Sequence, residues 1–310
     1  MRRSIPMVFL LASCAPAGTI IPVDQAWDLP APPAGEGVQV TIGPFDVPAN
    51  SEVQKNFFMK LPVDHDVMVN RVQIGYPKGS HHLNLFKTGL TFPDHVEDTF
   101  DAVPYDKFDM FASSQSGSLD WAMPAGVALK LAANQQLIAQ THWVNGFTQS
   151  TPGGKGVAKV NLWFAKPENV QNTLGMMFVI NKNLDIPPHR ESLAQKSVDL
   201  ARAGMAADVK VVAMTGHFHS RGKAFSVDRD SGENLYKSNN WDEPPFKRFD
   251  DPITIKNGEK LHYTSTFVNN TDLLIKFGPH VENQEHSNFF LYFYPGPANG
   301  KALYDTAGLP

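Results

Sequence analysis

The stretch Arg71-Val72-Gln73-Ile74-Gly75-Tyr76 places an apolar side chain at every second position, at Val72, Ile74 and Tyr76. Neighbouring side chains of an extended strand point to opposite faces, so a period of two buries one face and wets the other. Val38-Gln39-Val40-Thr41-Ile42 repeats the pattern, and further runs of this kind cover His82 to Phe86, Gln136 to Val144, Val157 to Phe164, Val209 to His219, Lys260 to Val268 and Asn288 to Tyr294. Pro, Gly, Asn and Asp bound these runs, and 24 Pro with 23 Gly interrupt the chain too often for long helices. Only Arg190 to Met205 has helical spacing, and weakly. The expectation is an all-β protein of short strands and frequent turns, built as β-sandwiches.

At 310 residues the chain exceeds one ordinary sandwich core and suits two compact units of roughly 140 residues each. A Pro- and Asn-containing break at Lys166 to Thr173 divides it into an N-terminal sandwich, 38–169, and a C-terminal one, 170–306. A net charge of -4 without a sustained basic block argues against a nucleic-acid partner, whose phosphates need clustered Lys and Arg.

The N-terminal segment carries Arg2 and Arg3, a short apolar run from Ile5 to Leu11, and Leu11-Ala12-Ser13-Cys14, which holds the single cysteine. It resembles a bacterial lipoprotein signal peptide, residues 1–13, cut before Cys14, whose thiol carries the lipid. The alternative is a buried first strand with an incidental cysteine. Residues 14–37, rich in Pro, Ala and Gly, read as a tether. No run approaches the roughly 18 apolar residues of a spanning helix. The expected location is therefore extracytoplasmic in the bacterial cell envelope, outer membrane or periplasm, with the membrane reached through the lipid anchor only.

Three of the histidine patterns bear on function. His81-His82 opens a strand after Gly79-Ser80, and adjacent residues reach one ligand only if a strand end or bulge re-aims one of them. Gln140 and His142 share a strand face. His217-Phe218-His219 puts two imidazoles on one face at chelating distance; the alternative is two polar residues on a solvated face. Imidazole alone suits Zn, Cu, Ni or Fe. His286, at the mouth of the aromatic run Asn288 to Tyr294, is either a satisfied core histidine or a further ligand. His65, His95, His189, His262 and His280 read as surface or hydrogen-bonded residues.

Taken in order, His81-His82, Gln140-x-His142, His217-x-His219 and a ligand position before an aromatic strand resemble the copper type II, ascorbate-dependent monooxygenases. This is the family of peptidylglycine α-hydroxylating monooxygenase and dopamine β-monooxygenase, with their bacterial relatives. The resemblance runs from about Val38 to Pro295 and includes the landmarks Trp121 to Ala128 and Asn239 to Pro245. It implies two antiparallel, jelly-roll-like β-sandwich domains facing each other across an open cleft, with one copper ion in each. His81, His82 and His142 would bind the electron-transfer copper, with Gln140 beside them. His217 and His219 would bind the oxygen-binding copper, and Asn288 would lie on the substrate side.

The family's third ligand at that second copper is a methionine, and His286 occupies the matching position. A thioether favours Cu(I), whereas imidazole also supports Cu(II). Met214 falls on the opposite strand face, Met176 and Met177 fall on another strand, and none substitutes well. Thr215 and Phe290 stand where the peptide hydroxylases carry a carboxylate-binding arginine and a tyrosine, which argues against a peptide carboxylate as substrate. Two functions follow as expectations. One is a copper monooxygenase that hydroxylates a C–H bond of a small organic substrate with dioxygen and an ascorbate-like external electron donor. The other is a non-catalytic extracytoplasmic copper-binding lipoprotein for storage, carriage or sensing.

Overall fold

The computed structural model describes residues 28–77, 80–115, 118–145, 154–201, 203–205 and 207–305. The signal segment and Cys14 lie outside the described residues. Eleven strands precede residue 174: β1 (Gly37–Val47), β2 (Ser51–Lys60), β3 (Val67–Gly75), β4 (Ser80–Thr88), β5 (His95–Asp98), β6 (Asp109–Ser114), β7 (Ser118–Ala122), β8 (Val127–Leu131), β9 (Gln136–Asn145), β10 (Gly154–Ala165) and β11 (Asn172–Thr173). Eleven more follow: β12 (Gly175–Ile180), β13 (Asp185–Ile186), β14 (Arg190–Asp199), β15 (Val209–His217), β16 (Gly222–Arg229), β17 (Asn234–Ser238), β18 (Lys247–Ile255), β19 (Lys260–Asn269), β20 (Ile275–Lys276), β21 (Asn288–Tyr294) and β22 (Leu303–Asp305). Among the described residues there is no α-helix.

The first sheet runs β1-β10-β3-β8-β11 with β7 also on β3, and the second runs β5-β2-β9-β4-β6. The third is β18-β15-β21-β12-β22, the fourth β14-β19-β16-β17, and β13 pairs with β20. Strands up to β11 pair only among themselves, as do those from β12 onward. The ladders are antiparallel except β8 with β11 and β12 with β22.

Each alternating run expected from the sequence falls on a strand, although β3 stops at Gly75 just before Tyr76, and β15 stops at His217 and leaves His219 just beyond its end. The weak helical spacing after Arg190 misleads, because Arg190–Asp199 is a strand paired along its whole length with β19. Of its inward positions Ser192, Ala194 and Lys196 are small or polar and only Val198 is a larger apolar residue, while Leu193 is exposed, so the apolar alternation that marks a strand is weak. The last part of the expected tether lies along the first sheet. There Leu29 O accepts from Gln39 Nε2 and Pro30 O from Asn161 Nδ2.

Two buried clusters share one wall. The first joins the first and second sheets, through residues such as Val72, Leu83 and Leu85, to Met176, Phe178, Phe290 and Tyr292 of the third sheet. The other joins Met177, Val179, Phe289, Leu291 and Phe293 of the same sheet to Phe225, Tyr263 and Phe267 of the fourth. The third sheet is therefore covered on both faces, which is why β21 reads as an unbroken aromatic and apolar run. This packing qualifies the cleft expected between the halves. Apolar side chains from both halves meet between the second and third sheets, and a partly open cavity lined by residues of both remains beside the histidines.

Candidate metal centre

Strand register builds the first group of histidines. On β4 and β9, His82 stands opposite His142, Asn84 opposite Gln140 and Phe86 opposite Ile138, all on one face. The register slips between Ser80 and His82. This bulge re-aims His81, so adjacent histidines serve one point. His82 Nε2 and His142 Nδ1 are 3.3 Å apart, the separation of two nitrogens bonded to one tetrahedral ion at about 2.0–2.1 Å. Glu52 on β2 accepts from His142 Nε2 at 2.7 Å, which fixes the tautomer and turns the Nδ1 lone pair inward. Burial raises the Glu52 carboxyl, but the His142 hydrogen bond and charge, with the Val281 N–H, outweigh it and leave the group below its usual range.

The second group is held by strand ends and loops. His217 closes β15, while Phe218 points the other way into the far core and stacks on Phe225. Gly222 lets that ring in, since a Cβ there would meet Phe218 Cδ2 at 2.0 Å. Gln115, from the N-terminal half, donates to Gly216 O and accepts from His217 Nδ1 at 2.5 Å. Its amide is thereby oriented, so His217 carries its proton on Nδ1 and keeps Nε2 free. His219 Nδ1 donates to Gln284 O at 3.2 Å, which likewise frees Nε2. Beneath them Glu285, fully buried, accepts from the backbone N–H groups of His219, Arg221 and His286. Burial pushes its carboxyl up to about 7, against those donors and Arg221. His286 Nδ1 lies 2.9 Å from His217 Nε2, the spacing of two ligands at a right angle on one ion.

The two groups meet. The sets whose ligand atoms all lie within 4.8 Å of one another are His81, His82, His142 and His81, His217, His219, and all five rings are buried. His286, half-buried, stands beside the second set, with its ring centre 4.3 Å from that of His219. In each set the ring centres form a near-equilateral triangle, with sides of 5.2, 5.2 and 5.0 Å in one and 5.1, 5.3 and 5.3 Å in the other. The middle of such a triangle is about 3.0 Å from each ring centre, close to the roughly 3.1–3.2 Å expected for an ion bonded to a ring nitrogen at about 2.0–2.1 Å. His81 Nδ1, His81 Nε2 and His219 Nε2 are buried and have no hydrogen-bond partner. A buried polar atom left unpaired costs about 1–3 kcal/mol, and a bound ion removes that cost. The buried histidines can hold a metal ion.

Burial holds His81, His82, His217 and His219 well below the usual imidazole range, and neighbouring rings add to the effect. His286 is pushed down to about 3, by burial and then by His142. Neutral imidazole is the form that binds metal.

A cavity of about 410 Å³ opens beside the centre and is walled by both halves. His82, His217 and His286 border it together with Gln140 and Asn288, while Phe178 and Phe290, stacked at 4.5 Å, are among its aromatic walls. Gln140 accepts from Asn84 Nδ2 at 3.2 Å, and the buried Asn288 Oδ1 has no partner. Met176, Met177 and Met214 are packed into the cores. Met110 lines the cavity but pairs with Phe86, four residues and about 13 Å along β4 from His82.

His65, His95, His189 and His262 lie outside the centre, each beside a surface carboxylate. His280 stands 3.5 Å from Glu52 on the cavity wall. Sequence reasoning missed Glu52 and Gln115. A glutamate two residues before Gln54, on a face that the register with β9 makes inward, was the available signal for Glu52; nothing local marks Gln115. No family model matches the chain, and no curated protein matches it.

Proposed function

We propose that the chain is a copper-dependent monooxygenase that hydroxylates a C–H bond of a small organic molecule. The observation that carries the reading is the cavity lined by His82, His217 and His286 together with aromatic rings from both halves. His81, His82 and His142 hold one ion in this reading, and His217, His219 and His286 hold the other, with the two sheet pairs as two sandwich domains. Bound copper supplies one-electron chemistry with dioxygen.

The protein's own residues do the rest. Phe178, Phe277 and Phe290 seat an apolar body and exclude water, and the amides of Gln140 and Asn288 orient a polar group of the substrate. Glu52, Gln115 and the Gln284 carbonyl hold three imidazoles in fixed tautomers. Overall, one oxygen atom enters the C–H bond and the other leaves as water, with two protons and two electrons from an ascorbate-like donor. The lipoprotein anchor at Cys14 places this activity outside the cytoplasm.

The test is oxygen uptake and product analysis by copper-loaded protein with ascorbate over a panel of small neutral organic molecules. Labelled dioxygen is expected in a hydroxylated product. Uptake no faster than free copper across the panel overturns the reading. The second reading, a copper-binding lipoprotein without turnover, draws on six imidazoles with no thioether beside them. His286→Met separates the two, because a binding protein loses Cu(II) affinity and gains no oxygenase activity.

A further inference from the structure

One ring belongs to both groups of histidines, and both of its nitrogens are buried without a partner. Every other imidazole of the two sets has a protein atom within hydrogen-bonding distance of at least one nitrogen. Glu52 serves His142, Gln115 serves His217, the Gln284 carbonyl serves His219, and Asn84 lies 3.3 Å from His82 Nδ1. The three acceptors hold the N–H of His142, His217 and His219 and so fix which of their nitrogens faces a metal. His81 has no such partner, so neither nitrogen is reserved for the protein.

The two triangles of ring centres share only the His81 corner. Of the remaining corners, His82 and His217 come nearest one another, at 5.4 Å, about one triangle side apart. Two positions suited to an ion thus border a single imidazole. We propose that His81 binds through both nitrogens, as an imidazolate joining two copper ions, one shared with His82 and His142 and the other with His217 and His219. This rests on the copper reading above and replaces two independent sites with one bridged pair. The second ion takes the place of the ring N–H proton, which leaves to solvent, and no electron moves.

The test is electron paramagnetic resonance of the full chain during Cu(II) loading, with spin counted against total copper. One equivalent gives a full signal. The second equivalent is expected to remove most of it, because spins joined through an imidazolate pair antiferromagnetically. His81→Gln, with its fold checked by circular dichroism, is expected to restore a full signal for whatever copper it holds. X-ray absorption on the wild type, which does not depend on any variant folding, should show no copper neighbour at the about 3.5–4 Å of closely bridged pairs. A full signal at two equivalents overturns the bridge and leaves the copper reading standing. So does coupling that persists without His81, or a close copper neighbour. Failure to bind copper overturns both.

Discussion

The two groups of histidines perform the same task by different means. His82 and His142 sit in register on adjacent strands, and a bulge brings in His81. His219 and His286 lie outside strands and are held by Glu285, whose carboxylate gathers three backbone N–H groups. Sheet hydrogen bonds fix the first group whether or not a metal is present. The second depends on one buried carboxylate, so the same perturbation should affect the two groups unequally.

The largest expected effect bears on both groups. Unfolded imidazoles take up protons near pH 6.5, whereas His81, His82, His217, His219 and His286 resist protonation in the fold. Below that pH the unfolded chain binds more protons, so stability falls as pH falls, by up to about 1.4 kcal/mol per unit for each such histidine. Glu285 acts with the opposite sign. Its raised carboxyl contributes stability at low pH that is lost as pH rises toward about 7, but it is one group against five. Thermal unfolding of metal-free protein should hold steady above pH 7 and drop steeply below pH 6, and a flat profile would contradict the burial of the cluster.

Next in size, Glu285→Gln turns an amide N–H toward backbone donors and should cost about 2–4 kcal/mol in urea unfolding. Copper held by His217 and His219 should weaken while copper held by His82 and His142 is spared; equal loss at both would erase the contrast. Glu52→Gln is the complementary case, expected to weaken copper binding about 10–100-fold through the His142 group, as read by competition with a chelator. The smallest change is Gln115→Ala. It frees the His217 ring and removes a contact between the halves, for about 1 kcal/mol and a modest loss of copper affinity.

The same contrast explains what the sequence could reveal. Alternation exposed the strands and the shared face of Gln140 and His142, and Gly79-Ser80 before His81 made a bulge foreseeable. Nothing local predicts that His81 lies 5.1 Å from His217 by ring centres, because that contact depends on how one half packs on the other. Gln115 and His217 are 102 residues apart, and their bond comes from tertiary packing that no local pattern encodes. Part of the cleft expected from the resemblance is taken up by apolar packing of Phe178, Phe290 and Tyr292, residues whose facing partners are not local in sequence.

The wall sheet shared by the two cores also ties the histidine centre to the packing of one half on the other. A metal ion can meet histidines from both halves only where Met176, Phe178, Phe290 and Tyr292 are packed on the N-terminal half. Ligands that bind only the native state raise its stability by mass action, so an ion held by histidines of both halves would lock that packing. A chain in which that packing fails lacks both the lock and the assembled centre.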